Sequence, residues 1–195
     1  MAATGQPTAD FPEFLSLKRF STSDYLQMVE AGVLGKDDHV ELIAGMIVDI
    51  SPAGSRHNYF LGRLNRLFAR IWDKGEVWVQ GTLNVAEGQV YDPDFLLLRP
   101  KPGGYKEQLP TAQDVLLVVE AAEISLRADQ QVKLPVYAKA GISDYWIADL
   151  QREVLIVHRL PEASHYRSVE EFHGDDVVSP LAAPEFSFPV RQAIE

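Results

Sequence analysis

Asp114-Val115-Leu116-Leu117-Val118-Val119-Glu120 is a run of five aliphatic residues closed at each end by an acid. A run this short and this apolar reads as a buried strand, and what lies on either side of it decides the fold. Downstream, Leu126 to Ala140 carries a helix that Gly141 closes, with Pro135 predicting a kink because it lacks an N–H. Asp144-Tyr145-Trp146-Ile147-Ala148-Asp149 and Val154-Leu155-Ile156-Val157-His158 then make a second pair of strands around Leu150-Gln151-Arg152. Upstream, Pro93-Asp94 opens a strand from Phe95 to Leu98, preceded by strands at Val77 to Val79 and Leu83 to Val85, with turns at Gly81 and Gly88.

Further out, Phe60, Leu61, Leu64, Leu67, Phe68 and Ile71 recur at three and four residues, the spacing of an amphipathic helix. That helix starts near His57, places it on the buried stripe, and has Gly75 as its terminator. Val40 to Ile50 reads as a hairpin reversing at Ala44-Gly45, and Ser21 to Gly32 as a short capped helix. Tyr166 to Val169 and Phe186 to Phe188 are short candidate strands. The order is helix, hairpin, helix, strands, helix, strands, which implies an α/β fold with a central mixed β-sheet flanked by α-helices. Residues 1–20 read as an N-terminal arm and 21–195 as one domain.

With 195 residues and 46% hydrophobic content the chain can bury a real core. It has no cysteine, so disulfides and thiolate metal sites are excluded and any metal must sit on oxygen or imidazole. No apolar run approaches the ~20 residues needed to span a bilayer, and no basic stretch followed by an apolar core marks a secretory signal. The expectation is a cytoplasmic protein without a membrane partner. A formal net charge of -10 counts against a surface built for non-specific nucleic-acid binding. Arg56, Arg63, Arg66, Arg70 and Lys74 nevertheless form a local basic stretch, which reads equally as a nucleic-acid face or as a solvated helix face.

The chemistry rests on carboxylates. Asp94 is delivered at a strand entrance by Pro93, and Glu120 ends an apolar strand where an unpaired charge would be costly without a cation or hydrogen-bond partner. Two carboxylates from neighbouring strands suit a hard cation such as Mg²⁺, which binds through one or two carboxylates plus water and phosphate oxygens. Asp129, Lys133 and Tyr137 recur every four residues on the following helix and can share a face, either as a surface Asp–Lys pair or with Lys133 aimed at the site. Glu41, before the hairpin turn, is a further carboxylate candidate. Gln80 and Asp92 are polar candidates of lesser weight, and His57 reads as a satisfied core histidine or a ligand.

Val40-Glu41-Leu42-Ile43 through Gly45, Asp92-Pro93-Asp94, Leu117-Val118-Val119-Glu120, and Asp129 to Lys133 leading through Tyr137-Ala138-Lys139-Ala140-Gly141 to Tyr145-Trp146-Ile147-Ala148-Asp149 together resemble one known pattern. It is that of the bacterial Uma family, formerly a domain of unknown function, within the PD-(D/E)XK restriction-endonuclease-like superfamily. The resemblance covers roughly residues 20–160. It implies a restriction-endonuclease-like core with Asp94 and Glu120 as Mg²⁺ ligands, Mn²⁺ being an acceptable substitute, and the Ala121 backbone carbonyl available to the metal. Glu41 is the early acid. The superfamily lysine stands two positions after the second acid, where this chain has Ala122, so the role passes to Lys133. Ala121 stands in place of the usual valine, and Ile124 in place of a small polar residue. His57, Gln80, Asp129 and Tyr137 are supporting residues on this reading.

The implied activity is metal-dependent hydrolysis of a nucleic-acid phosphodiester, with DNA the expected partner and a homodimer addressing two strands. Lys133 would stabilise the transition state or orient the attacking water. An RNA or nucleotide phosphodiesterase and a catalytically silent binding or assembly module are the competing expectations.

Overall fold

The computed structural model describes residues 16–35, 37–71 and 73–195. Most of the expected N-terminal arm, residues 1–15, lies outside the described residues, and 16–20 have no regular structure. α1 (Thr22–Glu30) starts at a capping box in which Ser21 Oγ accepts from the Asp24 amide and the Asp24 carboxylate accepts from the Ser21 amide. β1 (Val40–Ile43) and β2 (Met46–Asp49) form the expected hairpin. Ala44 and Gly45 both take positive φ, 50° and 76°, the two left-handed residues that match a tight turn to the strand twist.

α2 (Ser55–Phe68) buries His57, Phe60, Leu61, Leu64 and Phe68 and ends in a 3₁₀ turn over Ala69–Ile71. Strands β3 (Glu76–Val79), β4 (Leu83–Ala86), β5 (Gln89–Tyr91) and β6 (Phe95–Leu98) follow. β5 was not visible as a run because only three residues form it. Then come β7 (Val115–Ala122), α3 (Leu126–Ala128), a π-helical turn over Asp129–Lys133 and α4 (Leu134–Lys139). The kink expected from Pro135 is this wide turn. Leu134 donates to the Asp129 carbonyl, five residues back, where proline's missing N–H and ring interrupt the normal ladder.

β8 (Asp144–Asp149), β9 (Val154–Glu162) and β10 (His165–His173) complete a six-stranded sheet of order β10-β9-β8-β7-β6-β3. Every pairing in it is antiparallel except β7 with β8, the pair joined by the helical crossover. The sheet is therefore mixed, as expected. β10 runs longer than the candidate Tyr166 to Val169. β11 (Val177–Val178) pairs with β12 (Phe188–Pro189), and α5 (Arg191–Ile194) ends the chain. A second sheet, β2-β1-β5-β4, packs under α1 with its own small core of Tyr25, Leu42 and Val90.

The large sheet is covered on both sides. Leu117, Val119 and Ala121 face a core shared with α2, β12 and α5, whereas Val118 and Ala122 face one shared with Tyr137, Ala138 and Ile142. Side chains alternate along a strand, so Glu120 shares the side of Val118 and Ala122 and enters the layer covered by the helix that carries Lys133. Among the described residues, no helix is long and apolar enough to cross a membrane.

Gly75 is not the helix terminator, since helical structure has ended by Ile71. A Cβ there would lie 2.7 Å from the Leu98 carbonyl oxygen and from Leu97 Cδ1, so its absence lets the chain enter β3 directly against β6. Gly75→Ala is expected to cost about 1–3 kcal/mol in urea unfolding, the usual range for overpacking. Unchanged stability would mean that β6 yields at no cost.

Candidate active site

The two sheets meet at Asp92-Pro93-Asp94, the link from β5 in the small sheet to β6 in the large one. β6 begins at Phe95 opposite Val119, so β7 runs past it and the Ala121 amide needs another acceptor. Asp94 supplies it, accepting from Ala121 N–H at Oδ2 (2.8 Å) while Oδ1 meets His57 Nε2 at 2.8 Å. The Asp94 carbonyl accepts from the Gln80 amide at 3.0 Å. Main chain on one side and a helix-borne imidazole on the other thus set this carboxylate.

Glu120 and Glu41 arrive from different sheets and meet at one ammonium. Lys133 Nζ lies 3.1 Å from Oε1 of each. The same Glu41 oxygen accepts from the Asp92 amide at 3.0 Å, and the same Glu120 oxygen accepts from Tyr137 Oη at 2.9 Å. Side-chain exposure is 12% for Lys133, 3% for Glu120 and 1% for Glu41, so these pairs are shielded from water and are not surface ion pairs. Burial pushes the Glu120 carboxyl well above its ordinary range, opposed by Lys133. For Lys133, burial acts to lower the pKa, but Glu120, Glu41, Asp129 and Asp94 outweigh it and raise the value, so the group stays an ammonium. Asp129 is pushed up to about 6 by burial and accepts from Ser125 Oγ at 2.7 Å.

Two contact sets thus lie around the sheet junction: Lys133 with Glu41, Glu120 and Tyr137, and Asp94 with His57 and the Ala121 amide, the residue after Glu120. Asp129 sits one π turn away. Gln80 meets Asp94 only through its main chain; its side chain is exposed on a backbone with φ 52°. Ala121 donates its N–H to Asp94. Tyr91 escaped notice because β5 is so short, yet its ring lies 5.9 Å from Lys133 Nζ and edge-on to Tyr137. The basic stretch lies at the surface, and four of its five side chains make contacts there. Arg56 pairs with Glu153, Lys74 with Glu185, Arg63 donates to the Gln192 carbonyl, and Arg70 lies over Phe186.

The donors on offer suit a hard cation. Glu41 Oε2 is buried with no partner, and Glu120 Oε2 takes no protein hydrogen bond among the described residues. No group of three or more His, Asp or Glu side chains is set to hold a metal among the described residues. An ion here would take one or two carboxylates and complete its shell with water and phosphate oxygens, as Mg²⁺ does.

Hydrogen bonding to Asp94 raises the His57 pKa above the usual 6.5, against the effect of burial. A raised folded-state value means that the pairing stabilises fully below 6.5 and is lost as pH rises through the folded pKa. NMR titration of the imidazole is expected to show this elevation and its reversal in Asp94→Asn. The stability advantage over His57→Gln is expected to shrink between pH 6 and pH 9, on the order of the range over which histidine titrates. An advantage independent of pH would contradict the pairing.

The fold has counterparts. A family model described as "Putative restriction endonuclease", named Uma2, matches residues 22–191. Among solved structures, "a putative nuclease belonging to DUF820" from Anabaena variabilis superposes with a TM-score of 0.71 at 14% identity, covering 90% of this chain and 97% of that one. At that identity the likeness speaks for the fold alone. No curated protein matches the chain. The family match spans the hairpin with Glu41, the junction with Asp94, the strand with Glu120 and the helix with Lys133, and the chain belongs to the Uma2 family so described.

Proposed function

We propose that the chain is a cation-dependent endonuclease that hydrolyses DNA phosphodiester bonds at the junction of the two sheets. The observation that carries this reading is the Lys133 ammonium set between Glu41 and Glu120, with Asp94 hydrogen-bonded to the amide of Ala121, the residue after Glu120. Asp94 and Glu120, with the unpartnered oxygen of Glu41 nearby, would hold Mg²⁺ or Mn²⁺, which when bound activates water and offsets charge on the phosphoryl group.

The protein's own groups have separable tasks. Lys133 keeps its proton, so it acts as a fixed positive charge facing the phosphoryl oxygens and not as the base. Two of its three N–H groups are directed to Glu41 and Glu120, which leaves the third for substrate. His57 and the Ala121 amide hold Asp94 in one orientation, so no reorganisation of this carboxylate is needed when substrate arrives. A two-fold pair of copies would address both strands of a duplex.

The test is cleavage of supercoiled DNA with Mg²⁺ or Mn²⁺, beside EDTA, Asp94→Asn and Glu120→Gln. Cleavage by the parent alone, abolished by EDTA, is expected. Lys133→Met is expected to lower the rate by about 10²–10³, the usual cost of one preorganised electrostatic donor. It also leaves two buried carboxylates uncompensated, at about 3–5 kcal/mol, so unfolding is measured alongside. Absence of cleavage by the folded parent would favour the second reading, a catalytically silent module, which the acidic balance and the engaged arginines support.

A further inference from the structure

Tyr137 is fully buried, and its ring is held edge-on between Tyr91, with centroids 5.7 Å apart, and Tyr145, at 4.9 Å. That packing leaves the phenol little freedom to turn. Its hydroxyl donates to Glu120 Oε1 at 2.9 Å, the oxygen that also meets Lys133 at 3.1 Å. A phenol carries its proton at neutral pH, so Tyr137 serves Glu120 as a donor. The two Glu120 oxygens are therefore unlike. Oε1 carries two donors, whereas Oε2 takes no protein hydrogen bond among the described residues.

We infer that Tyr137 is a positioning residue: by engaging Glu120 Oε1 from a ring locked between two other tyrosines, it turns Oε2 toward the cation and fixes the carboxylate there. This rests on the cation-dependent reading above and specifies how Glu120 is made ready for it. Lys133 alone would not achieve the same, because it is shared with Glu41 and sits on a flexible stem. Partners of a ligating carboxylate typically contribute 10–100-fold to metal affinity.

Mn²⁺ titration of the folded protein without nucleic acid, followed by calorimetry and by electron paramagnetic resonance, tests this. Tyr137→Phe keeps the ring and removes the donor, and is expected to weaken Mn²⁺ binding about 10–100-fold. At saturating Mn²⁺ its turnover should return close to that of the parent. The control is Tyr145→Phe, which loses an equally buried hydroxyl that donates instead to the Asp129 carbonyl at 3.3 Å. That variant is expected to bind Mn²⁺ like the parent. Parent-like affinity in Tyr137→Phe, or an equal loss in Tyr145→Phe, would overturn the inference while leaving the cation site standing. A parent that binds no Mn²⁺ would overturn the cation-dependent reading and this inference with it.

Discussion

One buried ammonium joins two sheets. Glu41 belongs to the small sheet and Glu120 to the large one, and Lys133 lies 3.1 Å from both. Leaving either carboxylate ionised and unpaired at 1–3% side-chain exposure would be costly, so the relative placement of β1, β7 and the crossover helix is tied to this contact. The π turn over Asp129–Lys133 belongs to the same constraint. It accommodates Pro135 and delivers Lys133 into the layer that strand alternation already assigns to Glu120.

Much of the fold was legible because its signals are short-range. The apolar run before Glu120 reads as a buried strand, and the α2 stripe as the helix that covers one face of its sheet. Ala44-Gly45 and Ser21 with Asp24 are local chemistry, and both behave as their residue types dictate. Gly75 misled because glycine punctuates chains for two reasons. Here the reason is a close approach to Leu98 from a distant strand, which no local pattern carries.

The site was legible as a set of residue types but not as a circuit. Glu120 stands out because charge on an apolar run demands a partner, Asp94 because Pro93 sets it at a strand entrance, and Lys133 through its helical spacing and the family resemblance. That Lys133 is shared between Glu41 and Glu120 depends on how two sheets dock. Tyr91 and the differing burdens of the two Glu120 oxygens depend on packing around a three-residue strand. The basic stretch from Arg56 to Lys74 shows the reverse case: its composition leaves both readings open, and the surface contacts with Glu153, Glu185, Phe186 and the Gln192 carbonyl depend on distant segments that no local pattern carries.

The most direct measurement is diffraction from crystals grown with Mn²⁺, using its anomalous signal. The account predicts one peak at the sheet junction, within about 2.0–2.2 Å of oxygens from both Asp94 and Glu120, close to the distances hard divalent ions such as Mg²⁺ keep. A map with Lys133 still bridging the glutamates and no peak beside Asp94 at saturating Mn²⁺ would contradict it.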